Sequence, residues 1–543
     1  MSRSAVLSNR QILRATLIAL LGFLASGVLG IVRTSLISST FGAGAALDAF
    51  YAAQRIPELI FTLVAGGALG SSFIPVFARY LRHDDDGQAW RLASATVTLS
   101  SIGAAALSVI TVLIAPFIVS TILIPGQSEA VQAITVDLMR IMMLTPFIFS
   151  ISGLMMGMLQ TFGNFVLPSL AISMNSIGLI IGALVLSHII PPLPDSPAQV
   201  GSANVYGLAW GAVLSAMLHL IVQLPGLFAI KTASRKLRFL LDWRTPGVRD
   251  VMMMMGPRVL GLGVGQINFI VNANFASRMV EGSQTVMTVA WTLMFTLLGI
   301  IGQSTGTAIF PSLSTYAAEN NMEGYKDRLA RALRAVLFLS LPATVGVILF
   351  GGPFIRILFL RDNWTTEHTL GTAWALMFFG IGIAGHASLE VLSRAFYALG
   401  DTRTPVTVGI VSLGSNILLS IIFIQFIGDP GSLAQGPVAG LALANSLTTL
   451  LEAVGLWWLL RRRIGDLNDR FVLDGILRTL AASGVMLVAL VVFVIIAGER
   501  LEPVVYGLGG SLIGIVAFFG SSVLLKMQET YTVFNAISRR LKR

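Results

Sequence analysis

The sequence predicts an all-α polytopic membrane protein with about fourteen transmembrane helices, and three observations support this fold class. Hydrophobic residues make up 55% of the 543 residues and charged residues only 11%, whereas a soluble domain carries roughly 25% charged residues. Apolar runs of about 20 residues, long enough to cross about 30 Å of hydrocarbon, recur from Ala15 almost to the C-terminus. Most Lys and Arg residues lie between these runs. The lipid bilayer is therefore the expected solvent for most of the chain.

Hydropathy and helix-breaking residues divide the chain into fourteen candidate spans. They cover residues 15–39, 50–78, 93–122, 131–160, 165–190, 204–229, 250–276, 283–314, 335–358, 370–398, 405–427, 436–460, 474–497 and 503–525. The first run follows several arginines, as in a signal peptide. It is too long for one and lacks an evident cleavage site, so we interpret it as the first span.

The distribution of basic residues predicts the orientation of these spans, because cytoplasmic loops are enriched in Lys and Arg. If the N-terminus is cytoplasmic, only Arg278, Arg361 and Arg500 of the 36 Lys and Arg residues fall in outer loops. An even number of spans places both termini on the same side. We expect a multi-pass protein of the bacterial inner membrane with both termini in the cytoplasm. This topology also explains the net charge of +10, so no nucleic-acid partner is expected.

Three pairs of short motifs recur at a nearly constant offset, which predicts an internal repeat. The pairs are 70–80 with 306–316, 163–168 with 400–405, and Gly207-Leu-Ala with Gly440-Leu-Ala, at offsets of 236, 237 and 233 residues. Spans one to six and seven to twelve are then homologous halves. Because six is an even number, the halves share one orientation. We expect two parallel pseudosymmetric six-helix bundles with a cavity between them, plus two C-terminal helices.

The repeat also predicts the domain organisation. An N-terminal six-helix lobe is expected over residues 1–229 and a basic cytoplasmic linker over 230–249. A C-terminal six-helix lobe should cover 250–460. Two extra transmembrane helices and a basic tail should cover 461–543.

Four local motifs resemble the MurJ/MviN family of lipid II flippases, which belongs to the multidrug/oligosaccharidyl-lipid/polysaccharide exporter superfamily. They are Ser26–Arg33, Phe41–Phe50, Arg55-Ile-Pro-Glu-Leu and Arg394–Pro405. The resemblance covers nearly the whole chain, including the two extra C-terminal helices. It implies translocation of an undecaprenyl-pyrophosphate-linked peptidoglycan precursor across the inner membrane by alternating access. The implied partners are this lipid-linked anionic glycan, membrane lipids and cell-wall synthesis proteins.

The chain departs from the family pattern at several charged positions. Uncharged residues stand there instead, namely Gly27, Phe61, Thr62, Gly66, Thr292 and Phe295. Two alternatives therefore stay open at this point. One is a flippase for another polyprenyl-linked glycan, and the other is a non-transporting scaffold for a cell-wall complex.

Ionisable residues inside a membrane span are costly, so each of the six intramembrane arginines needs a partner or a function. Arg140 lies three residues after Asp137 and Arg394 lies four after Glu390, so ion pairs along one helix are expected for both. Arg356 lies near the outer end of its span, where a long side chain reaches the headgroups.

The remaining arginines are candidate substrate-binding residues. Arg33 and Arg258 have no acidic residue three or four positions away, and Ser26 shares a helical face with Arg33. Arg55 can pair with Glu58 or contact the substrate. A guanidinium binds a pyrophosphate through two parallel hydrogen bonds, which a lysine does not reproduce. The alternative for Arg33 and Arg258 is a structural contact with a carbonyl group or a distant acid.

Asp48 lies at the outer start of the second span, where two functions are open. A carboxylate there can cap a helix N-terminus, or it can serve in gating or ion coupling because it lies close to Arg33. The chain has no cysteine and five histidines. It also lacks nucleotide-binding, metalloprotease and nucleophile-elbow motifs. We expect neither enzyme activity nor a cofactor or metal ion, and the energy source for transport is left open.

Overall fold

The computed structural model describes residues 9–64, 67–82, 86–193, 195–230, 237–497 and 501–541. These residues are almost entirely helical, apart from a small hairpin that pairs Gln199–Val200 with Ala203–Asn204. Their contacts divide the chain into two compact units. Unit 1 comprises residues up to Thr285 together with Arg361–Trp364. Unit 2 comprises Val286–Leu360 and Thr365 onwards.

The helices of unit 1 form the first seven predicted spans. They are α1 (Asn9–Phe41), α2 (Ala45–Val64), α3 (Gly67–Arg82), α4 (Asp86–Phe117), α5 (Glu129–Met142), α6 (Leu144–Thr161), α7 (Val166–Ile181), α8 (Ser187–Ile189), α9 (Val205–Ile221), α10 (Leu224–Ala229) and α11 (Val248–Ala276). A π-helical segment, Ile118–Leu123, extends α4, and a second one, Gly182–Leu186, joins α7 to α8.

The helices of unit 2 form the later spans, and the first of them begins in unit 1. They are α12 (Ser283–Leu298), α13 (Ser304–Ala318), α14 (Met322–Phe359), α15 (Thr366–Ile381), α16 (Ile383–Ala398), α17 (Arg403–Phe426), α18 (Val438–Ile464), α19 (Asp469–Ala497), α20 (Pro503–Leu524) and α21 (Gln528–Leu541). A π-helical segment, Gly299–Gln303, joins α12 to α13.

The outer faces of these helices are apolar, which confirms the predicted membrane class. Leu113 and Phe117 of α4 and Val488 and Ile495 of α19 are among the exposed residues, and so much exposed apolar surface is stable only in lipid. Ten helical runs among the described residues are long and apolar enough to cross a membrane, and two bent helix pairs bring the number to twelve. The other two predicted spans coincide with α1 and with α2 and α3, which border or include residues outside the described part.

Two predicted spans are each broken into two helices, at nearly equivalent positions of the repeat. Span 131–160 breaks at Met143, and span 370–398 bends by 46° at Gly382. Each broken span ends at a glycine in the left-handed region, Gly163 with φ 77° and Gly400 with φ 75°, which a residue with a Cβ rarely adopts. The two halves thus share a local backbone feature at the predicted offset.

The third motif pair, Gly207-Leu-Ala and Gly440-Leu-Ala, lies at a close contact between helices in both halves. A Cβ atom on Gly207 would lie 2.2 Å from the backbone nitrogen of Ser187, and one on Gly440 would lie 2.8 Å from the carbonyl carbon of Phe423. In each half, the sixth helix therefore contacts the backbone of the fifth, as small residues allow in membrane bundles. These contacts agree with the predicted repeat at this motif pair.

The contacts place α11 with the first six spans, because it packs against α2 and α3. The predicted lobe boundaries at residues 229 and 250 follow the sequence repeat, which is a different criterion. Those boundaries stay a prediction.

Candidate functional site

Arg33 lies on a helical face of α1 that carries small residues. Ser26 and Gly30 lie on the same side of the helix, and Ser26, Gly30 and Arg33 are all half-buried. Among the described residues, no atom would come within 4 Å of a Cβ on Gly27 or Gly30. The two glycine positions beside Arg33 therefore border open space.

Arg55 on α2 lies in a buried contact with an acid and an aromatic ring. Its Nη1 lies 3.5 Å from Oε2 of Glu58, and its guanidinium carbon lies 4.9 Å from the ring centre of Phe269 on α11. Arg55 is 8% exposed. Pro57 lies within α2, where it cannot donate the helical hydrogen bond to residue 53. The expected Arg55–Glu58 pair is confirmed.

Arg33 belongs to the same charged cluster, which the sequence did not predict. It interacts electrostatically with Tyr51 and Glu58 of α2. The absence of a nearby acid was inferred from spacing along α1 alone, and Glu58 comes from another helix. The three residues Arg33, Arg55 and Glu58 carry a net charge of +1 when all are ionised, and the direct ion pair among them joins Arg55 to Glu58.

Asp48 caps a helix N-terminus, but this is the N-terminus of α12 and not that of its own helix. Its carboxylate accepts hydrogen bonds from the backbone N–H of Gly282 (2.8 Å), the backbone N–H of Thr285 (2.8 Å) and the Thr285 hydroxyl (2.6 Å). The N–H of Ala45, at the start of α2, donates to Glu281 at 2.7 Å. The two helices thus cap each other. A gating or ion-coupling role for Asp48 stays a prediction.

Arg258 lies in α11, but its side chain falls outside the described residues. Its place in the site stays a prediction. The same helix carries Phe269, which contacts Arg55, and Gly263, whose built Cβ would lie 3.9 Å from Leu63 of α2. The middle of α11 therefore lies beside the charged cluster.

The structure adds amide side chains on α11 that the sequence analysis did not select. Asn272 donates to Oδ1 of Asn268 at 2.7 Å. The Oδ1 of Asn272 and the Oε1 of Gln266 are buried and accept no hydrogen bond from the described residues. Gln266, Asn268 and Asn272 lie within seven residues of an apolar span. Because polar groups in lipid need partners, this spacing could have identified them from the sequence.

Two further predicted ion pairs are present. Arg140 lies 3.6 Å from Asp137, and Arg394 contacts Glu390 directly. Arg394 also packs on Gly306, where a Cβ would lie 2.7 Å from Nη1. Across the described residues, no group of three or more His, Asp or Glu side chains is arranged to hold a metal ion.

A helical bundle with a lipid-facing apolar surface and a buried charged cluster defines a polytopic membrane protein. Solved structures share this fold. A structure titled "Lipid II flippase MurJ, inward closed conformation" matches with a TM-score of 0.75 at 21% identity, and the match covers 94% of this chain and 98% of that one. An inward-facing multidrug resistance transporter of the MATE family, in the MOP superfamily, matches with a TM-score of 0.67 at 16% identity, covering 82% and 96%.

Sequence relatives define the family. The family model described as "Lipid II flippase MurJ" matches residues 37–516, and the chain belongs to this family. The protein named "Lipid II flippase MurJ" from Burkholderia cenocepacia is 31% identical over 452 residues, which covers 82% of this chain and 83% of the relative. The chain is therefore a multi-pass membrane protein of a transporter family.

Proposed function

We propose that this protein is a flippase that moves lipid II, a polyprenyl-pyrophosphate-linked cell-wall precursor, across the bacterial inner membrane during peptidoglycan biosynthesis. The family match over residues 37–516 carries this proposal. The reaction is transport by alternating access, and no bond of the substrate is made or broken. The two termini lie in the cytoplasm, as the distribution of Lys and Arg indicates.

The charged cluster supports an anionic substrate. Arg55 pairs with Glu58, and Arg33 interacts electrostatically with the same acid, so a pyrophosphate can compete with Glu58 for both guanidinium groups. Such an exchange leaves the arginines with an anionic partner in both the empty and the loaded state, which lowers the cost of holding their charge inside the protein. Bidentate hydrogen bonds from arginine match the geometry of phosphate. Ser26 and Gly30 place only small side chains on the face of α1 that carries Arg33.

The proposed binding residues are Arg33, Arg55, Ser26 and Arg258. Asp48 fixes the outer ends of α2 and α12, and gating is its proposed role. We do not expect nucleotide hydrolysis by this chain to supply the energy for transport, since the sequence carries no nucleotide-binding motif. Cell-wall synthesis proteins and membrane lipids are the expected partners.

Depletion of the protein, followed by extraction of polyprenyl lipids, tests this function. We expect lipid II to accumulate on the inner leaflet, and complementation by the wild-type chain should reverse the accumulation. Accumulation of a different polyprenyl-linked glycan would show that the substrate is wrong. A cell-wall defect without any accumulated lipid intermediate would instead indicate a scaffold.

A further inference from the structure

Residues 237–243, which precede α11, run along α4. The N–H of Arg238 donates to Oγ of Ser94, and the N–H of Leu240 donates to Oγ1 of Thr98, each at 3.1 Å. Asp242 then forms an ion pair with Arg91 at 3.0 Å. The segment therefore follows one turn of α4 from Ser94 to Thr98 and then turns back towards Arg91, near the beginning of that helix. We call residues 237–243 the strap.

The strap reaches the apolar part of α4. The run Asp86–Leu123 is a candidate membrane span, and its apolar stretch is predicted to begin at residue 93. Thr98 lies seven residues beyond Arg91, which corresponds to about 10 Å along a helix. If the span begins at the predicted residue 93, Thr98 and the strap residue bonded to it lie inside the leaflet on that side of the bilayer.

The side chains of the strap divide into an inner and an outer set. Leu237 and Leu240 pack against the hydrophobic core formed by α3, α4 and α6. Phe239, Leu241 and Trp243 point outwards, with exposed fractions of 76%, 64% and 75%. Three large apolar side chains exposed together within five residues are unfavourable in water and favourable in lipid.

The backbone contacts of the strap also fit a lipid environment. Irregular backbone is tolerated at membrane depth only where its polar groups find partners. Ser94 and Thr98 are 1% and 5% exposed, and their hydroxyl oxygens accept hydrogen bonds from two strap N–H groups. Arg91 neutralises Asp242, the acid of this segment.

Basic residues surround the strap. The side chains of Arg238 and Arg244 are exposed, and Lys231, Arg235 and Lys236 precede it in the sequence. Trp and Phe beside Lys and Arg are typical of the membrane interface, and clusters of basic residues at the cytoplasmic surface attract anionic lipids. We infer that the strap inserts Phe239, Leu241 and Trp243 into the leaflet beside α4, and that its basic residues bind anionic phospholipid headgroups.

This inference goes beyond lipid II transport and does not depend on it. The strap continues through Gly247, which has φ 89°, directly into α11. Asp250 in the first turn of α11 pairs with Arg79 of α3 at 2.7 Å. Anionic lipid bound at the strap would thus hold the start of the helix that carries Phe269 and Arg258.

Tryptophan quenching by brominated lipids tests the insertion. The full-length protein has eight tryptophans, so the Trp243 signal is the difference between wild type and Trp243→Phe in nanodiscs. We expect the Trp243 emission to be blue-shifted. Lipids brominated near the headgroup end of the acyl chain should quench this emission, and aqueous iodide should not. Red-shifted emission quenched by iodide and not by brominated lipid would overturn the inference.

Two sets of variants separate the parts of the proposal. Ser94→Ala/Thr98→Ala should shift Trp243 emission to the red, whereas Ser100→Ala on the same helix, whose hydroxyl bonds to its own helix, should not. Thermal stability in detergent checks that each variant is folded. An unchanged Trp243 signal in a folded Ser94→Ala/Thr98→Ala variant would show that these hydroxyls do not hold the strap.

The headgroup preference has its own comparison. Quenching of Trp243 should be stronger in phosphatidylglycerol than in phosphatidylcholine nanodiscs, and Arg238→Gln/Arg244→Gln should reduce this difference. Arg328→Gln, at an exposed arginine of α14, should leave it unchanged. Equal quenching in the two lipids for the wild-type protein would overturn the recognition of anionic headgroups.

Discussion

Arg55 pairs with Glu58, and Glu58 also interacts electrostatically with Arg33. This arrangement sets the consequences of changing any of the three residues. Loss of an arginine leaves the cluster neutral, whereas loss of Glu58 leaves two positive charges together. The affinity for a pyrophosphate group should therefore fall when an arginine is lost and rise when Glu58 is lost.

The first prediction concerns Arg33. Arg33→Lys keeps the charge but loses the bidentate geometry, so transport should fall nearly as far as in Arg33→Ala. The loss of one charge-assisted hydrogen-bonded contact corresponds to about 1.5–3 kcal/mol, or about a 10- to 150-fold weaker headgroup affinity. Complementation of a depleted strain and headgroup binding to purified protein are the measurements.

Two controls make this prediction specific. Arg356→Ala, at an exposed arginine of α14, should complement fully. Glu58→Gln should bind the pyrophosphate headgroup more tightly than wild type, because the competing carboxylate charge is gone. Full complementation by Arg33→Ala at normal membrane abundance would contradict the pyrophosphate clamp.

At the scale of secondary-structure elements, the second prediction concerns the cap of α12. Asp48→Ala removes the acceptor of three hydrogen bonds and should cost about 1–2 kcal/mol of stability. Asp48→Asn keeps an acceptor oxygen and should cost less. Thermal unfolding in detergent measures both changes. If Asp48→Asn abolished transport with an unchanged melting temperature, Asp48 would act in gating or ion coupling and not as a cap alone.

The third prediction concerns the loop before α17 and its pH dependence. Burial alone would raise the pKa of Asp401, but hydrogen bonds from the backbone and hydroxyl of Thr404, the charge of Arg463 and the N–H of Arg403 together lower that pKa below its usual value. A lowered pKa in the folded state stabilises the protein above the unfolded pKa, about 3.9. This contribution is lost as the pH falls through the folded pKa.

The melting temperature of the wild-type protein should therefore decrease more steeply below about pH 4 than that of Asp401→Asn. At pH 7 the wild-type protein should be the more stable of the two. Melting curves in detergent from pH 3 to pH 7 provide the measurement. Parallel curves for the two proteins would show that Asp401 does not carry this pH dependence.

At the scale of the whole molecule, the fourth prediction concerns orientation. The chain has no cysteine, so single cysteines can be introduced without a background. Gly431→Cys, in the loop between α17 and α18, should react with a membrane-impermeant maleimide in spheroplasts. Glu319→Cys, in the loop between α13 and α14, should react only after lysis. The reverse pattern would place both termini outside the cytoplasm.

The sequence alone determined the membrane class, the positions of the helical spans and the repeat. These properties follow from local hydropathy, from charge between spans and from short motifs at a fixed offset. Gly163 and Gly400 illustrate this, because the left-handed backbone at both positions follows from a glycine at the end of a helix. Pairs within one helix, such as Arg394 with Glu390, were also predictable, because their spacing alone brings them together.

The tertiary structure decided which groups meet across helices. The charge of Glu58 on α2 acts on Arg33 of α1, and Asp48 caps a helix that begins 235 residues later. The strap along α4, assigned from its charge to a cytoplasmic linker, likewise depends on two hydroxyls more than 140 residues away. Hydropathy and periodicity report the environment of a residue and the face of its helix. They carry no information on which distant face packs against it, because that choice depends on side-chain shape and on the pairing of buried polar groups.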